Sequence, residues 1–299
     1  MTSFVVITDT HLDAAGGEPV GYHQQPRYAL LLPALLAELE AWMEGQVVVD
    51  PEEGTVDFVL HLGDIVDRAT PAALRSARDA YDLSVPTYLC LGNHDVATPD
   101  EAESPAELWI REAPGFFPGG ELTATIERED CVIHIAPPHW CDIPYFWREE
   151  QRPHFLPEQR SYLETALARR PDLPHILCTH ADVLGAPPDQ TGFATPYHSP
   201  PAEWTAAVLD LVARYPSLYL VLAGHNHINT HQVRGQAHVV TGSAFVETPF
   251  EFKLIRVTSR RMTMMTVPLL PRISVKPDYD WNKTFVQGRR CDRAFEVAF

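Results

Sequence analysis

Basic side chains are scarce in this 299-residue chain: 23 Lys and Arg stand against 40 Asp and Glu, a formal net charge of -17. Long duplex nucleic acid is therefore not an expected partner, because its phosphates attract clustered cations and repel a net anion. The two small basic clusters, Arg260 with Arg261 and Arg289 with Arg290 and Arg293, read as solvated faces. Cysteine is sparse as well. Cys90, Cys131, Cys141, Cys178 and Cys291 form no Cys-x-x-Cys pair, which argues against a disulfide framework or a thiolate zinc site and fits a reducing compartment. No apolar run approaches the roughly 20 residues that span a bilayer: the stretch from Leu30 to Leu36 contains Pro33 and soon meets Glu38 and Glu40. A basic leader and a cleavage region are also missing ahead of the first strand-like run, so a cytoplasmic address without membrane contact is expected.

What is present is ordinary globular composition, 45% hydrophobic and 21% charged, enough for one large α/β domain with a sizeable core. Strand patterns fall near 3–8, 57–62, 86–91, 122–127, 131–136, 174–179, 218–223, 237–241, 250–257 and 261–267. Helical periodicity is clearest over Tyr28–Met43, Pro71–Leu83, Glu158–Arg169 and Glu203–Tyr215. Strands that alternate with helices early and cluster late suit two packed sheets covered by helices. Residues 1–270 read as the main domain. The segment 271–299, rich in proline before an amphipathic ending, reads as a tail that packs on the domain or reaches a neighbouring subunit in a homo-oligomer.

Five short segments concentrate metal-binding side chains, and most follow an apolar strand-like run. They are Asp9-Thr-His11, Gly63-Asp64-Ile-Val-Asp67, Gly92-Asn93-His94-Asp95, His180, and Gly224-His225-Asn226-His227. Strand ends of an α/β sheet are where loops project side chains from distant parts of a chain into one cleft. Alternation along an extended chain would let His225 and His227 face that cleft while Asn226 faces away. Carboxylate, amide and imidazole donors without thiolate suit borderline divalent ions such as Mn, Fe, Zn, Ni or Co.

The ordered set resembles the calcineurin-like dinuclear metallophosphoesterase family over roughly residues 1–270, and in pattern its bacterial cyclic nucleotide and glycerophosphodiester phosphodiesterases. The resemblance implies a four-layer αββα sandwich of two mixed sheets and two divalent ions. One ion would take Asp9, His11, Asp64 and His227, the other Asp64, Asn93, His180 and His225, with Asp64 as the bridge. It further implies that a metal-bridging hydroxide attacks the phosphorus of a small phosphodiester, with His94 protonating the departing oxygen and Asp67 orienting His94. A helix cap is the competing reading of Asp67. Thr179-His180-Ala181-Asp182 departs from the His-His-Pro-Pro often found in those phosphodiesterases.

Arg68 would grip a phosphate, as in the phosphoprotein phosphatase branch, although Leu91 stands where those enzymes carry a second Arg. Two Pro-rich aromatic regions, 137–157 and 185–201, read either as substrate rims or as seals of a dimer interface or of the core. Among their residues His139, Trp140 and His198 are the expected substrate contacts. Other histidines, such as His61, His134, His175, His231 and His238, are expected to be structural. A phosphomonoesterase, a nuclease of the DNA-repair branch, and a scaffold that keeps the fold without activity are the alternatives.

Overall fold

A computed structural model describes residues 1–13, 23, 28–49, 55–98, 103–275 and 281–299. Its strands, in chain order, are β1 (Thr2–Ile7), β2 (Phe58–His61), β3 (Thr87–Leu89), β4 (Ala124–Glu127), β5 (Val132–Ile135), β6 (His175–Cys178), β7 (Leu218–Ala223), β8 (Thr230–Arg234), β9 (Ala237–Thr241), β10 (Glu251–Val257), β11 (Arg261–Pro268) and β12 (Ala294–Ala298). They form two six-stranded sheets, ordered β12-β11-β10-β1-β2-β3 and β4-β5-β6-β7-β9-β8. Both are mixed. The first pairs β1, β2 and β3 in parallel, and the second pairs β5, β6, β7 and β9 in parallel.

Side-chain alternation separates the layers. Phe4 and Val6 of β1 join Phe58, Leu60, Ile133, Ile176, Leu220 and Leu222 in a buried cluster between the sheets. Their neighbours Val5 and Ile7 belong instead to the cluster that contains Leu35 and Leu39 of the first long helix. Each fully buried Phe, Leu or Ile contributes roughly 1.5–3 kcal/mol, so both faces of each sheet are held. The helices are α1 (Leu32–Val49), α2 (Pro71–Ala80), α3 (Pro105–Glu112), α4 (Pro157–Arg169) and α5 (Ala202–Arg214). Among the described residues no helix is long and apolar enough to cross a membrane.

Three of these elements have no counterpart among the predicted ones, and neither has the short helix Pro188–Thr191. Helix α3 follows Ser104-Pro105-Ala-Glu107, an N-terminal capping pattern in which Ser104 Oγ accepts the Glu107 N–H at 3.5 Å. Strand β8 carries Thr, His, Gln and Arg on the edge of its sheet, where a hydrophobic signal is not required. Strand β12 lies within the predicted tail and pairs antiparallel with β11, Met264 opposite Phe295. Positions 276–280 of that tail fall outside the described residues.

A directed hydrogen-bond wire crosses β4, β5 and β6. His175 Nε2–H donates to the Arg170 carbonyl (2.8 Å), so its Nδ1 accepts from His134 Nε2–H (2.8 Å) and His134 Nδ1 accepts from Thr125 Oγ1 (3.0 Å). Burial, reinforced by His175, pushes His134 down to about 3. A folded-state value below the unfolded one means that stability is complete above pH ~6.5 and is lost as pH falls towards 3, at about 1.4 kcal/mol per pKa unit. Thermal melts at pH 7.5 and 5.0 should show this acid-induced drop in the wild type and a smaller one in His134→Gln. An identical drop in both would exclude the wire as its source.

Candidate metal centre

All five motif segments lie at the C-terminal ends of parallel strands, where the two sheets meet. Asp9 N–H donates to the Gly63 carbonyl (3.0 Å), and Thr10 and His11 N–H both donate to the Asp64 carbonyl (2.9 and 3.0 Å). Within the second sheet Gly224 N–H donates to the His180 carbonyl at 2.8 Å, and across the sheets Phe245 N–H donates to the Thr8 carbonyl at 2.9 Å. The fully buried Asp95 carboxylate ties two motifs together, accepting N–H groups from Asp64, Ile65, Val66 and Gly92 at 2.8, 2.9, 3.2 and 2.8 Å. Gly92 has no room for a side chain, since a Cβ there would stand 2.2 Å from Asp64 Oδ1.

The approach bends the backbone into unusual territory. Asp9, His11, Asp64, His225 and His227 all have positive φ, between 41° and 72°. Such residues cost of order 1–3 kcal/mol each and persist only where the surroundings fix them. His225 and His227 therefore reach the cleft through left-handed turns beyond β7, not by the expected alternation of an extended strand. Asn226 does face away: its Nδ2 donates to Asp182 Oδ2 at 3.2 Å, giving a role to the Asp of His180-Ala-Asp182.

The predicted ligands converge. Ligand atoms of Asp9, His11 and His227 lie within 4.8 Å of one another, as do those of Asp64, His180 and His225. Asp64 Oδ2 stands between the groups, 3.7 Å from His11 Nε2 and 3.3 Å from His180 Nε2. His227 Nε2 is 3.4 Å from Asp9 Oδ1, and His225 Nδ1 is 3.0 Å from Asn93 Oδ1. His180 Nδ1–H donates to the Leu62 carbonyl at 2.8 Å, which turns its Nε2 into the centre. That Nε2 and both ring nitrogens of His11 are buried without a hydrogen-bond partner. Buried orphan nitrogens facing carboxylates, in an Asp, Asn and His donor set, fit divalent ions. Burial opposes charge on Asp9 and Asp64, yet the surrounding histidines, His227 for Asp9 and His180 for Asp64, hold both carboxyls well below the usual range.

His94 stands beside this group. Its Nδ1 lies 3.1 Å from both a carboxylate oxygen and the carbonyl of Asp67, and its N–H donates to Asp64 Oδ1 at 2.9 Å. Burial works against its positive charge, but Asp64 and then Asp67 outweigh it and raise His94 to about 9. Because Asp64 would share its charge with any ion it holds, Asp67 is the partner that keeps the imidazole protonated. Asp67 does not cap α2. Thr70 does, its Oγ1 accepting the Ala73 N–H at 3.2 Å.

The cleft over these residues has a volume of about 280 Å³, and beyond the motif side chains it is lined by His23, Trp147, Gln151 and His198. Of the four substrate candidates only His198 is brought there. Arg68 is exposed and absent from the lining, because a tight turn closed by Thr70 N–H to its carbonyl (2.9 Å) leaves the side chain in solvent. His139 is buried, its Nδ1 accepting the Tyr145 N–H at 3.1 Å, and its backbone pairs with His154, so it braces its own loop. Trp140 is fully buried behind the histidines, its ring 5.0 Å from that of His225 and 6.1 Å from that of His180. A large apolar ring immediately beyond β5 is drawn into the core, whereas Trp147, with its N–H satisfied by the Glu150 carbonyl at 2.8 Å, packs 4.9 Å from His94 at the cleft.

His23 and Glu247 carry no motif. His227 Nδ1 lies 3.0 Å from Glu247 Oε1, the carboxylate–histidine arrangement that orients a metal ligand, and 3.0 Å from His23 Nδ1. Both stand far from the motifs in sequence, and composition alone offers no signal for either.

The family profile described as calcineurin-like phosphoesterase matches residues 2–229. Among solved structures, a dimetal phosphatase from Danio rerio is similar at a TM-score of 0.63 and 16% identity, covering 89% of this chain and 96% of that one. GAP50, the anchor in the inner membrane complex of Plasmodium, is similar at a TM-score of 0.59 and 8% identity, covering 98% of this chain and 94% of that one. No curated protein matches the sequence. Identities this low establish a shared fold, and they agree with two mixed sheets flanked by helices.

Proposed function

The chain belongs to the calcineurin-like phosphoesterase family, and from that premise we propose that it hydrolyses a small phosphodiester with two divalent ions. Asp9, His11, Asp64 and His227 would hold one ion, and Asp64, Asn93, His180 and His225 the other. When bound, two such ions lower the pKa of a water and offset charge on the phosphoryl oxygens. No Ser or Cys nucleophile is required. His94 presents Nε2 to the leaving oxygen while Asp67 occupies Nδ1, which sets it to donate a proton as the ester bond breaks. Trp147 covers His94 and narrows the access of water to that proton.

The observation that carries the diester reading is the make-up of the cleft. Among the described residues that line it there is no Lys or Arg, so the extra negative charge of a monoester finds no guanidinium or ammonium partner. Burial holds His23 neutral at about 2 and lowers His198, so neither replaces that cation. The indole of Trp147 instead offers a flat apolar wall for a second ester substituent. Arg68, exposed outside the cleft, does not add to the pull that the two ions exert on a dianionic monoester, so the preference rests on the walls of the cleft.

Comparison of kcat/KM for matched mono- and diesters tests the proposal. Diesters should be faster, and Trp147→Ala should lower the diester-to-monoester ratio by about tenfold. Faster monoesters with an unchanged ratio in Trp147→Ala would hand the site to the phosphomonoesterase reading.

A further inference from the structure

The C-terminal segment packs against the loop that carries His225 and His227, and the two meet at Asn229. This residue is fully buried and every polar group on it is engaged. Its N–H donates to the Val286 carbonyl (2.8 Å) and its own carbonyl accepts Gln190 Nε2 (3.0 Å). Its Nδ2 donates to Glu251 Oε1 (2.9 Å) and to the Gln287 carbonyl (3.3 Å), while its Oδ1 accepts Lys253 Nζ (2.5 Å). Gly288 makes the approach possible: its φ is +75°, and a Cβ there would stand 2.6 Å from the Asn229 carbonyl oxygen.

The tail side of this junction is itself braced. Arg293 donates to Glu251 Oε2 (2.6 Å) and to the Gln287 carbonyl (3.0 Å), and Arg289 holds Asp292, which in turn accepts the His231 N–H at 2.9 Å. These arginines are therefore structural ties, where a solvated face was expected. Ile228 is buried against Tyr197, Phe285 and Val286, so the same contact reaches the segment that presents His198.

The loop needs such support. Positive φ at both His225 and His227 is retained only if something outside the loop fixes it. Asp182 and Asp9 brace the loop from inside the family profile, which ends at residue 229, and the contacts at Asn229 add a brace from a part of the chain beyond it. We infer that the segment Phe285–Arg293 is a positioning strut, which acts through Asn229 to hold His225 and His227 in the conformation that ligates metal. The link to metal rests on the proposed centre; the holding of the loop does not.

The experiment uses the full chain with Asn229→Ala, Gly288→Ala and a control, Phe299→Ala, whose ring packs on Tyr219 away from the loop. Gly288→Ala removes no hydrogen-bonding side chain of the junction and pushes the tail away from the Asn229 carbonyl. Hydrogen exchange of metal-free protein across residues 224–231 should be about tenfold faster or more in both junction variants and unchanged in the control. Cobalt affinity, read from its visible spectrum, should weaken about 10- to 100-fold in the same two. Unchanged exchange in Gly288→Ala and Asn229→Ala overturns the strut. Faster exchange with wild-type cobalt affinity overturns its link to the metal centre. A wild-type chain that takes up no cobalt sinks the metal reading itself, and the exchange result still decides whether the tail holds the loop.

Discussion

Asp64→Ala should lose most bound metal and at least about 10³-fold in turnover. Asp64 Oδ2 is the atom that faces both His11 and His180, whereas the neighbouring Asp9 carboxylate stands 4.0 Å from His180 Nε2, farther than the 3.3 Å of Asp64. Its Oδ1 also accepts the His94 backbone N–H at 2.9 Å, which means that the same change releases His94, the proposed general acid. Elemental analysis of the purified variant beside the wild type provides the measurement. A folded Asp64→Ala protein that keeps both ions and full activity would remove Asp64 as the bridge.

His94→Ala should behave differently: metal content stays and turnover falls, by about 10²- to 10⁴-fold on alkyl esters and far less on aryl esters. An aryl leaving group departs without protonation, so the difference between ester types isolates proton donation from mere positioning. Asp67→Asn should show a weaker form of the same pattern, together with some loss of metal, because the Asp67 carboxylate also lies 3.4 Å from His11 Nδ1. Equal losses on alkyl and aryl esters would take the acid role from His94 and leave it as an electrostatic group.

Why the motif residues were legible and their surroundings were not has a physical basis. Asp9, Asp64, Asn93, His180 and the His225–His227 pair each follow a buried strand, and strand ends of parallel sheets converge on one edge by topology alone. The apolar runs that announce the strands thus also locate the ligands. Trp140 and Trp147 show where this stops. Both lie in one irregular loop without periodicity, and only the tertiary path decides that the first fills the core behind His225 while the second lines the cleft. Arg68 follows Asp67 directly, yet a single tight turn sends the two side chains in opposite directions. His23 and Glu247 join the centre from stretches whose sequences carry no pattern, and the tail's grip on Asn229 depends on backbone carbonyls and on one glycine, Gly288, whose role no motif announces.

The complete ligand set and His94 argue against a scaffold that has lost activity, even though a neighbour on this fold is described as an anchor. The most direct test of the central claim is anomalous scattering from crystals of the native protein, collected at the absorption edges of Mn, Fe, Co, Ni and Zn. Two peaks about 3.5–4 Å apart on either side of the Asp64 carboxylate are predicted. A single well-occupied ion in a fully active enzyme would contradict it.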